Sequence, residues 1–188
     1  MFFKKSNIMD EKTLSRAIND LQKGSAQAFH LLYNKYNNQI YRFCFKMLND
    51  KDAAEDAFQE TFIKVFEHRG EIKGGNFLAW VYTIARRTCL TTIRNKKDNV
   101  SFDEDYIAPV FESQSDTSAK DIIEKAVASL PVSLRETLIL REYEECSYNE
   151  IAEILDIDIS LAKVRVHRAR LILRQILQPL VKEIYESR

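Results

Sequence analysis

Turn-forming residues are scarce: the 188 residues include 4 Gly and 3 Pro. A sandwich or barrel of many short strands needs more chain breakers than that, so an all-helical fold is expected. No run of about 18 apolar residues occurs, which predicts no insertion into a membrane. Met1 to Asp10 has two Phe and two Lys but no apolar core and no small-residue cleavage site, so a secretory signal is not expected. Cys44, Cys89 and Cys146 are odd in number, far apart and form no C-x-x-C. Neither a disulfide framework nor a zinc site is expected, and buried reduced thiols in a cytoplasmic protein are. His30, His68 and His167 are scattered without ligand spacing, and no nucleophile–base set or phosphate loop is present. The sequence therefore points away from an enzyme and calls for no metal or cofactor.

Charge of one sign is also missing, since 28 basic side chains balance 28 acidic ones. The neutral total hides opposed segments. Ile72 to Lys97 carries six basic residues and no acid, and Ser160 to Arg174 carries five and no acid. Asp121 to Ile159 carries three basic residues against ten acidic. Two acid-free basic stretches are electrostatic footprints for a polyanion, whereas a merely solvated helix face usually carries both signs.

Residues 98–119 hold six acids and no base, with Pro109 among Ser, Gln and Thr, and show no helical period. A flexible acidic linker is expected there, between a domain over 10–97 and another over 120–180. Each block reads as four helices. In the first, Leu14, Ala17, Ile18 and Leu21 repeat at helical spacing up to Gly24. Ser25 then opens a long helix carrying Phe29, Leu32, Tyr33, Tyr36, Ile40, Phe43 and Met47. Asp52-x-x-Glu55 is expected to box the start of the third helix. Three of the four glycines, Gly70, Gly74 and Gly75, fall in the following loop, and Asn76 is a natural cap for the fourth helix.

The second block ends in the more informative pattern. Ser147-Tyr148-Asn149-Glu150 fits a capping box. Asp156-Ile157-Asp158 is a three-residue break in which Asp156 is suited to a left-handed backbone. The helix beyond it separates into faces: Ala162, Val166, Ala169, Leu173 and Ile176 form an apolar stripe. Lys163, His167, Arg170 and Arg174 repeat one position round, flanked by Val164 and Arg168. Capped helix, short turn and basic second helix make a helix-turn-helix, whose second helix enters the major groove. Its cations also displace counterions from phosphates. An ordinary helical hairpin with a solvated basic face is the competing reading.

These residues resemble the group IV, or extracytoplasmic-function (ECF), sigma factors of bacterial RNA polymerase. The likeness rests on Asp52–Phe66 (DAAEDAFQETFIKVF) and Asn76–Arg86 (NFLAWVYTIAR). It continues through Leu130-Pro131, Leu134-Arg135-Glu136, Ser147–Leu155 (SYNEIAEIL) and Val166–Arg170 (VHRAR). The resemblance implies a sigma-2-like four-helix domain and a sigma-4-like helix-turn-helix domain. It implies core-polymerase binding by Asp56, Gln59 and Glu60. It implies recognition and opening of the −10 element by the loop His68 to Asn76 and the next helix, through Asn76, Trp80, Arg86, Arg87 and Arg94. It implies reading of the −35 element by Ser147, Lys163, Val164, Arg165, His167, Arg168 and Arg170. Core RNA polymerase and promoter DNA are thus the implied partners, with an anti-sigma factor as a further one that the linker permits.

Elementary chemistry is compatible with these roles. A glycine-rich loop can pocket an extruded base, and aromatic and cationic side chains hold a single strand. Trp80 and Phe77 also suit core packing, because their spacing with Ile84 fits a buried face. The sequence departs from the family at Arg87, where Asn is usual, at Thr91, where Asp is usual, and at Asp156, which replaces a turn Gly. Ser160–Arg165 (SLAKVR) stands where Gly-Thr-Val-Lys-Ser-Arg is usual. A helix-turn-helix regulator acting without core polymerase is the alternative function, and a purely protein-binding helical adaptor a third.

Overall fold

The computed structural model describes residues 10–72, 76–97 and 118–186. Among these, every regular element is helical. An N-terminal lobe is built from α1 (Glu11–Gln22), α2 (Ala26–Leu48), α3 (Lys51–Glu67) and α4 (Phe77–Lys97), with a 3-10 turn over Arg69–Glu71. A C-terminal lobe is built from α5 (Ala119–Ala128), α6 (Val132–Glu142), α7 (Tyr148–Leu155) and α8 (Ile159–Glu186). The expected linker falls largely outside the described residues, over 98–117, as do Gly74 and Gly75; Ser118 caps α5 and Ala119 is its first residue.

Short side chains start the helices by accepting amides that have no partner inside the helix. Asp10 accepts from Thr13 N–H at 2.7 Å and Ser25 from Ala28 N–H at 3.2 Å. At α3 the structure corrects the expected start. Asp50, not Asp52, is the cap and accepts from Ala53 N–H at 3.0 Å. The reason lies one residue upstream, where Asn49 takes a left-handed conformation (φ 48°) and ends α2. That sharp turn leaves Asp50 extended at the helix mouth and carries Asp52 into the first turn, where its charge still suits the dipole.

The N-terminal core follows the apolar periods. Leu32, Ile40, Phe43 and Met47 of α2 pack with Ala54, Phe62 and Val65 of α3 and with Val81, Tyr82, Ala85 and Cys89 of α4. Along the α2–α3 seam, Phe62 meets Phe29, Tyr33 and Phe58 edge-on, with ring centres 6.3, 4.8 and 5.2 Å away. Such tilted contacts place ring edges against ring faces and add to the burial itself. All three cysteines are buried and free, and burial pushes the Cys146 thiol up to about 12.

The C-terminal lobe seats α5 and α6 against α2, and α7 against α4. Arg135 of α6 anchors this contact. Its guanidinium donates to the carbonyls of Met47 (2.9 Å), Leu130 (3.0 Å) and Ala128, so one cation closes the carboxyl ends of α2 and α5 together. Phe62→Ala removes the centre of the aromatic seam and is expected to cost about 3–5 kcal/mol of stability. Chemical denaturation followed by circular dichroism measures it.

Candidate nucleic-acid interface

α7 has only eight residues, too few to persist alone, so its ends are fixed by specific contacts. Ser147 Oγ accepts from Glu150 N–H at 3.2 Å, while Glu150 Oε2 accepts from Ser147 N–H at 2.8 Å. The amide it accepts holds the Glu150 carboxyl below the ordinary carboxylate range. The helix stops at Asp156, left-handed at φ 55°, and Ile157 N–H closes back onto the Ala152 carbonyl at 3.0 Å. The expected cap, turn and left-handed Asp are therefore all in place.

The turn sets the roll of α8. Ala162, Val166 and Ala169 are buried against α6 and α7, while Leu173 and Ile176 are only partly covered. The opposite face presents Lys163, Val164, His167, Arg168 and Arg170 to solvent. Val164 stands at its centre and is 45% exposed. Ser147 lies at the mouth of α7 with its hydroxyl occupied by the cap. Arg170 is exposed but lies on Glu142, Nε to Oε1 3.0 Å. Arg165 departs from the group: it is half-buried between α8 and α6, with Nη1 3.8 Å from Glu136 Oε1.

The five candidates after the glycine loop also separate. Asn76 caps α4, accepting from Leu78 and Ala79 N–H at 3.1 and 3.2 Å, and donates to Glu150 Oε1 at 2.6 Å. Phe77 is buried and Trp80 half-buried, with ring centres 5.9 Å apart. The buried-face reading thus holds for Phe77. Trp80 lines a cleft of about 760 Å³ together with Lys64, His68, Glu71, Arg87 and Glu153. Arg87 and Arg94 are exposed. Arg86 is bound to Glu136, Nε to Oε2 2.8 Å and Nη2 to Oε1 3.2 Å.

On α3, Asp56, Gln59 and Glu60 lie together on the exposed side. The structure adds Ile63, 53% exposed and on the same face by its helical spacing. Ile63 is not among the residues expected on this face from the sequence. The signal was its position one residue beyond the Phe58–Phe62 stripe, which rotates it out of the core.

An exposed, patchily cationic helix set at a fixed roll by a capped partner defines a helix-turn-helix DNA-binding protein. The N-terminal lobe, whose Trp80 and Arg87 line a cleft with Glu71 and Glu153, makes it one of two-part architecture. The family Sigma-70 region 2 matches residues 32–98, and Sigma-70, region 4 matches residues 120–173. The RNA polymerase sigma-H factor of Pseudomonas aeruginosa is 31% identical over 87% of this chain and 93% of its own length. The ECF RNA polymerase sigma factor SigW of Bacillus subtilis is 29% identical over 90% of this chain and all of its own, 100%. Among solved structures, the sigma factor RpoE of Bartonella quintana, in complex with the anti-sigma factor NepR, superposes with a TM-score of 0.67. It is 26% identical and covers 81% of this chain and 98% of that one. CnrH, in complex with the cytosolic domain of CnrY, shares the fold with a TM-score of 0.68 at 16% identity, over 87% of this chain and 96% of that one. The chain belongs to the sigma-70 family, as an ECF RNA polymerase sigma factor.

Ser147→Ala removes the cap that fixes the entry to α7 and is expected to lower stability by about 1 kcal/mol. A thermal or urea midpoint, compared with wild type, reports it.

Proposed function

We infer that this sigma factor gives bacterial core RNA polymerase its promoter specificity, the N-terminal lobe serving the −10 element and the C-terminal lobe the −35 element. The observation that carries the reading is the pairing, in order, of both sigma regions with an outward-facing basic helix on the second. A regulator that works without polymerase needs no region 2, which disfavours that alternative. The chain supplies recognition, while bond formation belongs to the polymerase. No helix among the described residues is long and apolar enough to cross a membrane. Action with core RNA polymerase supports a cytoplasmic location for the factor.

The division of roles follows from the surfaces. Lys163, His167 and Arg168 offer hydrogen-bond donors to base edges and phosphates in the major groove, and Val164 offers a methyl-sized apolar contact to thymine. Ser147 and Arg170 flank them. Arg87, Arg94 and the exposed edge of Trp80 suit an unstacked strand, where stacking and cations replace base pairing. Asn76, Arg86 and Arg165 join these surfaces once their present carboxylate partners are displaced. Asp56, Gln59, Glu60 and Ile63 form the docking face for core polymerase, with the exposed Ile63 as its apolar centre. The complex of the relative RpoE with NepR supports an anti-sigma factor as a further partner here.

Transcription in vitro with core polymerase and a library of promoter-like duplexes tests the reading: specific starts with an enriched two-part motif are expected. Tight duplex binding without core and no initiation would replace it with the regulator. Arg168→Ala or Lys163→Ala should weaken promoter recognition by about 1–3 kcal/mol while core affinity holds. Gln59→Ala with Glu60→Ala, or Ile63→Ala alone, should lower core affinity about tenfold and leave the helical content unchanged, by titration and circular dichroism.

A further inference from the structure

α8 shows more hydrocarbon to solvent than its packing requires. Ala162, Val166 and Ala169 are fully buried and already make its core stripe. Leu161 and Val164 lie away from that stripe, 41% and 45% exposed. Three residues apart on a helix, their Cβ atoms are about 5–6 Å from each other, so the two side chains form one apolar ridge. His167 and Arg168 are exposed beside it. Lys163 is exposed beyond His167, its ammonium 5.8 Å from the centre of the Tyr148 ring. Leu161 stands where the family usually has Thr, and Val164 where it usually has Ser. Two hydroxyls are thus replaced by hydrocarbon at neighbouring positions of the surface assigned above to the −35 element.

Charge and position decide what covers the ridge. The flanking cations select a polyanion. Among the groups that base pairs present in the major groove, the thymine 5-methyl is the apolar one, and the others donate or accept hydrogen bonds. Hydrocarbon set between cations gains from leaving water only where a methyl meets it. α8 begins at Ile159, so both ridge residues lie in its first two turns, the half of a recognition helix that reaches base edges. Bases of one strand are about 3.4 Å apart along the duplex axis. A ridge of about 5–6 Å therefore covers two consecutive bases. Leu171, 43% exposed on the side of Val164, lies about 10 Å further along the helix and outside that half.

We propose that this sigma factor reads thymine methyls in its −35 element: Leu161 and Val164 together cover the 5-methyl groups of two consecutive thymines on one strand. Lys163, His167 and Arg168 hold the phosphates and base edges around them. The inference deepens the promoter assignment proposed above and rests on it. Methyl and phosphate contacts differ in their salt dependence. Loss of a phosphate contact flattens the fall of affinity with salt, whereas loss of a methyl contact lowers affinity equally at every salt concentration. Covering one methyl is worth about fourfold in affinity, and covering two on the order of tenfold.

Transcription from the duplex library with core polymerase yields the −35 sequence that the holoenzyme prefers. Promoter duplexes of that sequence are then made with thymine or with uracil over the −35 element alone, which removes the methyls and leaves pairing and charge unchanged. Holoenzyme affinity for both is measured by competition over a range of salt. The preferred element is expected to hold two consecutive thymines on one strand. Wild type should bind the uracil duplex about tenfold more weakly, with the same salt slope. Leu161→Thr with Val164→Ser should bind the two duplexes alike, with helical content unchanged by circular dichroism. Equal wild-type affinity for both duplexes overturns the methyl readout and leaves the ridge to a protein partner. So does a preferred element without consecutive thymines, and so does a double variant that still discriminates tenfold. Failure of the promoter assignment looks different: no −35 sequence is preferred at all, which overturns that assignment and the methyl readout with it.

Discussion

A carboxylate leaves water only where cations and hydroxyls replace the water it loses. Glu144 and Glu136 are both nearly or wholly withdrawn from solvent, and the way each is satisfied organises the molecule. Glu144 is satisfied only from the opposite lobe, so its burial and the closure of the lobes are one event. Glu136 is satisfied from α4 and from α8, which ties the placement of the reading helix to the placement of the N-terminal lobe. The same balance affects the phenol beside Glu144, for burial first and the Glu144 charge second push the Tyr82 hydroxyl well above its ordinary range. That hydroxyl donates to Glu144 Oε2 at 2.8 Å.

Around these polar clasps the buried apolar side chains of both lobes form one continuous cluster. α2 is the common wall: it carries the aromatic seam with α3 on one side and receives α5 and α6 on another. Arg135 closes the carboxyl ends of two helices from different lobes with one half-buried side chain, and desolvation holds its guanidinium below the usual range. Such a group is stable only while its acceptors remain in place, so the end of α2 and the start of the C-terminal lobe are structurally coupled.

Most of the fold was legible in the sequence, because helical periodicity and capping are properties of neighbours. The eight helices, the cap at Ser25, the cap at Asn76, the Ser147–Glu150 box and the left-handed Asp156 all lie within a few residues of the signals that announce them. The start of α3 was misplaced for a local reason: two Asp residues compete there, and only the conformation of Asn49 decides between them. The basic faces were legible in composition, but their availability was not. Arg86, Arg165 and Asn76 look like free donors in the sequence, and their partners are Glu136 and Glu150. Two of these pairs span 50 and 74 positions, and the Arg42–Glu144 pair spans 102. Separations of that length follow from how two lobes meet, which no period within a helix encodes.

The clasp at Glu144 also bears on how freely such lobes can be exchanged. A hybrid that keeps this N-terminal lobe but takes its C-terminal lobe from a relative inherits Arg42 and the Tyr82 hydroxyl without a guarantee of an acid opposite them. Where the acid is missing, Arg42 and the Tyr82 hydroxyl lose the carboxylate that closes the contact. Exchange of lobes in this architecture is therefore conditional: both buried carboxylates must meet their cations, beside the contacts of α2 with α5 and α6.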